Sequence, residues 1–589
     1  MFTLVSFLFF TCLVALISYL KTRKENLNQV EGYFLAGRSL PWYIIAGSLF
    51  LTNISAEQLT GLNANAFMNG ANVMAWEATS ALTLIVLAFV FLPRYLRSGI
   101  STVPQFLENR FGRRMRLVSS FIFIYAIVIG FLPFVLYAGA ITLGKLFNVS
   151  DIFGLTFNQT IWVMVISIGV IGGIYAVFGG LKAVAVSDTI NGVSLLICGL
   201  LVPVLALFSL GEGSFSQGVN ILITDAPERL NAPGITENAN IPWHGMISGV
   251  IIINLFYWCT NQAIVQRALA AKNLAESQKG ALAAGLLKIV GVLMLVLPGI
   301  VAWHLHQRGM LHIPFKLQDG VSTNIINADI SYPTLVQAVL PSWLTGLFGA
   351  AMFGAILSSF NSGINSLSTL ISLDIYKQIV NPEASDIQTV RVGKIFGIAT
   401  TVICIIAAPY IANANSLYTL MRTIMAVINV PIFAVVLLGI ISKRAPALSG
   451  YVGLVFGMVF FYISHFIFKD DFGFIKLHWL NLVGLNLILM LGIMLTIRYF
   501  KPMEEEYQQA VTNDVEMTPW KYGSLCAWGL GCLFLLLYLI LSPLGITSPY
   551  GSVIQAILIA VGITVVIYGI QKWIRSRHLP VTEQELANN

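Results

Sequence analysis

The sequence predicts an all-α polytopic membrane protein with about fifteen transmembrane helices. Composition is the first reason. Hydrophobic residues make up 57% of the 589 positions, charged residues only 10%, and mean hydropathy is +0.82. A soluble domain carries about 25% charged residues. The second reason is recurrence. Apolar stretches of spanning length, roughly 17–25 residues, fall at about 2–20, 42–67, 73–97, 117–144, 160–179, 187–209, 246–268, 281–305, 343–371, 391–412, 417–441, 447–468, 478–499, 522–541 and 552–574. The longest connections, 210–245 and 306–342, read as amphipathic loops, too short for a large soluble domain.

Charge placement is the third reason. With Met1 outside and every stretch crossing once, most of the 33 Lys and Arg fall in cytoplasmic connections. Lys21, Arg23, Lys24 and Arg38 follow the first stretch, Arg94 to Arg116 the third, and Lys572, Arg575 and Arg577 the last. That is the positive-inside bias. The net charge of +7 and the pI near 9.0 therefore reflect topology. No basic patch is interleaved with aromatics, so no nucleic-acid partner is expected. The chain is expected in the inner (plasma) membrane, N-terminus outside and C-terminus cytoplasmic, with the bilayer as its surroundings.

Taken in order, the first stretch has no basic n-region and no Ala-x-Ala site, and its charges follow the apolar run; it reads as a retained helix. The second contains Asn53-Ile54-Ser55-Ala56-Glu57-Gln58. A polar hexad survives at that depth only if it faces protein or a water-filled cavity. Gly47, Gly61, Thr52, Ile54 and Thr60 weaken the helix around it, which predicts a broken helix whose freed carbonyls and side chains bind something small. The third stretch brings Trp76, Glu77 and Ser80, the last two on one helix face. Asp188 follows Gly179-Gly180-Leu181-Lys182 at the cytoplasmic end of a span, as a helix cap or on an ion exit path.

Asn254, Tyr257, Trp258 and Asn261 share one face at i, i+3, i+4 and i+7. Two amides and two amphipathic rings suit a ligand with hydroxyls and an apolar face; an interhelical hydrogen-bond stripe is the competing reading. Lys288, alone among apolar residues, must neutralise or find a carboxylate, and Glu77 is the candidate. Finally, Ala355 to Ser362 offers consecutive hydroxyls, Ser358 and Ser359. With carbonyls freed at a broken helix, these hold a small hard cation without a carboxylate. Ser362, Ser366 and Ser368 read as packing. The six cysteines all lie in apolar stretches and the seven histidines are scattered, so neither a disulfide framework nor a metal cluster is expected. There is no phosphate loop, HExxH or GxSxG, so no enzyme is expected.

The strings Tyr33-Phe34-Leu35-Ala36-Gly37-Arg38-Ser39-Leu40-Pro41-Trp42, Asn53 to Gln58, and Ile174-Tyr175-Ala176-Val177-Phe178-Gly179-Gly180-Leu181-Lys182-Ala183, in this order and spacing, resemble the sodium:solute symporter family. Within it the chain is most similar to the sodium/sugar cotransporter branch, including the bacterial sodium/galactose and sodium/glucose symporters. The resemblance implies a leucine-transporter-type fold. Residues 42–209 and 246–441 would form two five-helix inverted repeats joined by the extracellular loop 210–245. Residues 1–41 would add a helix and a cytoplasmic loop, and 442–589 peripheral helices and a short cytoplasmic tail. The first helix of each repeat would be the broken one.

By the same resemblance, Asn53, Gln58, Glu77, Ser80, Asn254 and Lys288 match polar sugar ligands. Tyr257 matches an inner aromatic gate with Trp258 beside it, and Trp76 stands where the relatives carry a tyrosine. Sodium would take the carbonyls of Leu51, Ile54 and Ala355 and the hydroxyls of Ser358 and Ser359, and Asp188 would mark its exit. The implied activity is sodium-coupled import of a galactose- or glucose-like monosaccharide by alternating access. Two departures are noted. Thr423 beside Arg422 replaces an expected glutamine, which opens acidic sugars or carboxylates as substrates, and a fifteenth span is added. A sodium-coupled carrier of another solute and a transporter-like nutrient sensor are the alternatives.

Overall fold

In hydrocarbon every backbone donor and acceptor must be paired within the chain, so apolar stretches of this length become helices. The computed structural model describes residues 2–23, 27–235, 239–318, 321–413, 417–469, 476–512, 514–548 and 551–578. Those residues are overwhelmingly helical, and the only described strands are β1 (Phe315–Gln318) and β2 (Val321–Ile326), an antiparallel pair. Twelve helices are long and apolar enough to cross a membrane, or 13 if the bent pair Trp243–Cys259 and Gln262–Leu269 is one span.

All fifteen apolar stretches of the sequence lie on helices, some of them interrupted or joined end to end. The stretch 42–67 breaks in its middle into helices of 12 and 14 residues, and Gly70 (φ 73°, ψ −157°) separates the second from the helix that begins at Ala75. The stretch 417–441 forms one helix of 25 residues, Leu417–Ile441, of which the side chains of 417–424 lie outside the described residues. Of the two long connections, 210–245 carries the helix Phe215–Thr224 and 306–342 the strand pair and the helix Ser331–Val339.

The helices used below are α1 (Phe2–Thr22), α2 (Trp42–Asn53), α3 (Ala56–Asn69), α4 (Ala75–Val86), α5 (Phe157–Leu210), α6 (Trp243–Cys259), α7 (Gln262–Leu269), α8 (Leu274–Leu295), α9 (Ser342–Thr369), α10 (Trp479–Phe500), α11 (Gly523–Ile540) and α12 (Val553–His578). Helix α5 is really two spans. It turns at Gly180, whose φ of 65° and ψ of 177° leave the helical region, a conformation costly for a residue with a Cβ.

Around the centre, α5 lies along α9, α2 packs on both α5 and α8, and α4 packs on α6 and α8. Gly47 lets α2 approach α5: a Cβ there would stand 2.9 Å from the Thr189 side chain. Gly47 itself stays helical, so it serves close packing, and the break lies further along. Helix α12 packs chiefly on α11.

Candidate functional site

The helix from Trp42 breaks at Ile54 (φ −88°, ψ 87°) and Ser55 (φ −106°, ψ −177°) before α3 begins at Ala56. The Ser55 amide, which an unbroken helix would aim at the Leu51 carbonyl, bonds instead to the Asn53 carbonyl at 3.2 Å. Leu51 is thereby released from the helical pattern, as the polar hexad predicts. The second break falls between α6 and α7, which meet at a 48° bend. Thr260 (φ −135°) and Asn261 (ψ 120°) leave helical geometry there, and the Asn261 side chain caps α7 by accepting from the Ala263 amide at 3.0 Å. The stripe read from the sequence therefore ends at Trp258, because the helix it assumed stops before Asn261.

Four side chains close a charged knot beside the first break. The Lys288 ammonium, fully buried on α8, lies 2.6 Å from Glu77 Oε2 on α4, itself 1% exposed. It also donates to Asn53 Oδ1 at the last residue of α2, and Gln58 Nε2 in the first turn of α3 donates to Glu77 Oε1. The pairing inferred from two isolated charges is thus present. Trp258 is fully buried on α6, its ring centroid 5.6 Å from Lys288 Nζ, and among the described residues its indole nitrogen has no hydrogen-bond partner. That distance lies within cation–π range. The knot is electrically neutral, rich in donors and acceptors, and bounded by an aromatic face.

The remaining residues expected at the substrate site lie around it in different roles. Asn254 donates to the Trp76 carbonyl at 2.9 Å and to Thr79 Oγ1 at 2.8 Å, so its amide nitrogen joins α6 to α4. The Ser80 hydroxyl turns back onto the Trp76 carbonyl at 3.0 Å. Tyr257 is half-buried and meets Trp258 edge-to-face at 5.2 Å. The Trp76 ring stacks at 6.2 Å on Trp479, the first residue of α10. Trp479 was not singled out from the sequence: it lies far along the chain, in the stretch expected to be peripheral.

A second polar group sits where α9 crosses the first break. Ser359 Oγ donates to the Thr52 carbonyl at 3.0 Å, and Thr52 Oγ1 lies 3.5 Å from the hydroxyls of both Ser358 and Ser362. Leu51, Ile54 and Ala355 are fully buried in the same region. Ser362, read as packing, belongs to this group, since it donates to the Ser358 carbonyl and accepts from Arg267. Ser366 and Ser368 do pack, bonding to Gln266 Oε1 at 3.2 Å and to the Gly393 carbonyl at 2.9 Å. Asp188 lies within the second span of α5 and is buried, accepting from Ser48 Oγ at 2.7 Å and standing 3.5 Å from Arg267 Nη2. It caps no helix. Among the described residues no group of three or more His, Cys, Asp and Glu could hold a metal ion. The side chains of Arg422 and Thr423 lie outside the described residues.

This arrangement, two broken helices beside a neutral polar knot and a hydroxyl cluster, is a transporter's geometry. The sodium:solute symporter family model matches residues 33–457. The chain belongs to the sodium:solute symporter family.

It is 43% identical over 528 residues to the uncharacterized symporter YidK of Escherichia coli (strain K12), covering 90% of this chain and 89% of that one. It is 31% identical over 457 residues to the sodium/glucose cotransporter of Vibrio parahaemolyticus, with 75% and 80% covered. Among solved structures, the substrate-bound outward-open state of a Na+-coupled sialic acid symporter superposes with a TM-score of 0.69 at 20% identity, covering 85% of this chain and 98% of that one. That likeness shows the fold, which is of the leucine-transporter type. As a family member the chain is a multi-pass membrane symporter of a small solute, not an enzyme, and sodium is its coupling ion.

Proposed function

We propose that this symporter imports a neutral monosaccharide of the galactose or glucose kind by alternating access. The observation that carries the reading is the knot of Lys288, Glu77, Asn53 and Gln58 against Trp258. A neutral, hydroxyl-rich ring exchanges hydrogen bonds with such a knot group for group, whereas a net-charged solute would need an uncompensated counter-charge. In this reading the sugar's hydroxyls bond to Glu77, Asn53, Gln58 and Lys288, with Asn254 and Ser80 shaping the wall. Trp76 or Trp258 covers the ring, and Tyr257 gates the inward path. The sodium/glucose cotransporter relative supports the same substrate class.

Sodium, in this proposal, takes the carbonyls of Leu51, Ile54 and Ala355 and the hydroxyls of Ser358 and Ser359, and leaves past Asp188. The released Leu51 carbonyl and the contact between Ser359 and Thr52 support that assignment. Sodium bound there joins α9 to the break and fixes Asn53 and Gln58 for sugar. The coupling is reciprocal, each ligand tightening the other by one factor. Two inverted repeats over 42–209 and 246–441, each opening on its broken helix, account for the rocking motion, and the loop charges support an outside N-terminus.

The test is uptake of radiolabelled galactose, glucose and myo-inositol into proteoliposomes, with and without an inward sodium gradient. Sodium-driven accumulation of a hexose that vanishes in Glu77→Ala upholds the reading. Uptake of none of the three, with sodium-driven uptake of an acidic sugar, a carboxylate or an amino acid, overturns the substrate class. Sodium-stimulated binding without accumulation points to a sensor.

A further inference from the structure

Arg267 is a fully committed buried cation that neither the substrate knot nor the sodium ligands require. It stands on α7, 1% exposed, and its Nε donates to Ser48 Oγ at 2.7 Å. Its Nη2 donates to Ser362 Oγ and lies 3.5 Å from Asp188 Oδ2, while Ser48 Oγ donates to that same carboxylate oxygen at 2.7 Å. These contacts gather α7, α2, α9 and α5 around one guanidinium. Ser362 also touches the hydroxyl cluster at Thr52 and Ser358, so the guanidinium is one hydroxyl away from the proposed sodium ligands.

The electrostatics of this corner are lopsided. Among the described residues Asp188 is its only carboxylate; Oδ1 is buried without a hydrogen bond to any of them, and the Ser358 hydroxyl lies close enough to interact with the carboxylate. A buried carboxylate draws a cation, and like charges a few ångströms apart repel strongly where water is excluded. A sodium ion on the neighbouring hydroxyls and the Arg267 guanidinium therefore draw on one negative charge.

We propose that Arg267 is a tethered competitor of sodium for Asp188, and so a positioning residue that sets sodium affinity and links the ion to the second broken helix. When sodium is held near Ser358 and Ser359, Arg267 gives up its share of Asp188; when sodium departs, Arg267 takes the carboxylate again. Its helix continues, across the Thr260–Asn261 break, into the helix that carries Trp258 beside Lys288. Movement of Arg267 is thereby felt at the substrate knot. The inference rests on the sodium site of the preceding section.

The test reads sodium directly and needs no transported solute. Purified full-length protein is heated in NaCl or in KCl of equal ionic strength, and the sodium concentration giving half of the sodium-specific protection is measured. Arg267→Gln is expected to lower that concentration on the order of tenfold, within the usual range of coupling between sites. Arg267→Lys, which keeps the charge but loses the planar fork, should fall between the two, and it keeps the test open if the glutamine variant does not fold. Asp188→Asn should raise the concentration.

A purely structural arginine would lower the melting temperature in KCl and leave the half-protecting sodium concentration unchanged. That result in either arginine variant, or an unchanged Asp188→Asn, overturns the proposal alone. Absence of sodium-specific protection in the wild type overturns the sodium site and the proposal with it.

Discussion

Removing the ammonium from the knot with Lys288→Met keeps most of the side-chain volume and leaves the Glu77 carboxyl buried without its counter-charge, held by Gln58 alone among the knot residues. At 2.6 Å and an effective dielectric of about 20, the gross attraction between the two charges is roughly 6 kcal/mol. Desolvation offsets part of it, and breaking one partner out of a buried pair costs about 3–5 kcal/mol. Glu77→Gln leaves the ammonium stranded and should cost a similar amount. The double variant Glu77→Gln/Lys288→Met strands neither charge and is expected to be more stable than either single. Graded SDS unfolding of the purified protein, followed by the fluorescence of its 11 tryptophans, gives the three free-energy losses. Single losses that add in the double variant to within about 0.5 kcal/mol would mean the two residues act independently, and would refute the coupled knot. Uptake should fail in all three variants whatever their stability, since each removes a proposed sugar contact.

Three further outcomes are expected. Ser359→Ala deletes the 3.0 Å bond to the Thr52 carbonyl and should raise the sodium concentration for half-maximal uptake; an unchanged value removes Ser359 from the site. Asn254→Ala loses both bonds from α6 to α4 and should destabilise by about 1–3 kcal/mol, read as a lower melting temperature with sodium dependence retained. Between the two long connections, Arg308 donates to Asp225 and holds its carboxyl below the usual range. A depressed folded pKa stabilises above the ordinary carboxylate pKa and is lost as pH falls through the folded value. The melting temperatures of wild type and Arg308→Gln should therefore differ slightly near neutrality, as suits an exposed pair worth at most about 1 kcal/mol, and converge in acid.

Much of this was legible because membrane burial makes polarity informative. Asn53 and Gln58 in an apolar run had to mean a break, and two isolated charges, Glu77 and Lys288, had to find each other. What local periodicity missed follows from what it assumes. The Asn254 stripe was extended to Asn261 on the premise of a continuous helix, and Asn261 is the residue that caps the next one. Ser362 looked like packing because its partner, Arg267, comes from another broken helix. Gly47 suggested weakness, yet it admits Thr189 at close range. Trp479 was invisible because stacking on Trp76 depends on how a distant helix docks, which no window of sequence encodes.

The loose seating of α12 bears on how the protein is made. It meets α11 through a 3.1 Å bond from Trp528 Nε1 to Gln571 Oε1 and an edge-on contact of Trp528 with Tyr568, and otherwise packs little. Every residue of the knot and of the hydroxyl cluster has left the ribosome long before Val553 is translated. Helix α12 is thus an outrigger, added after the helices that build the transport path.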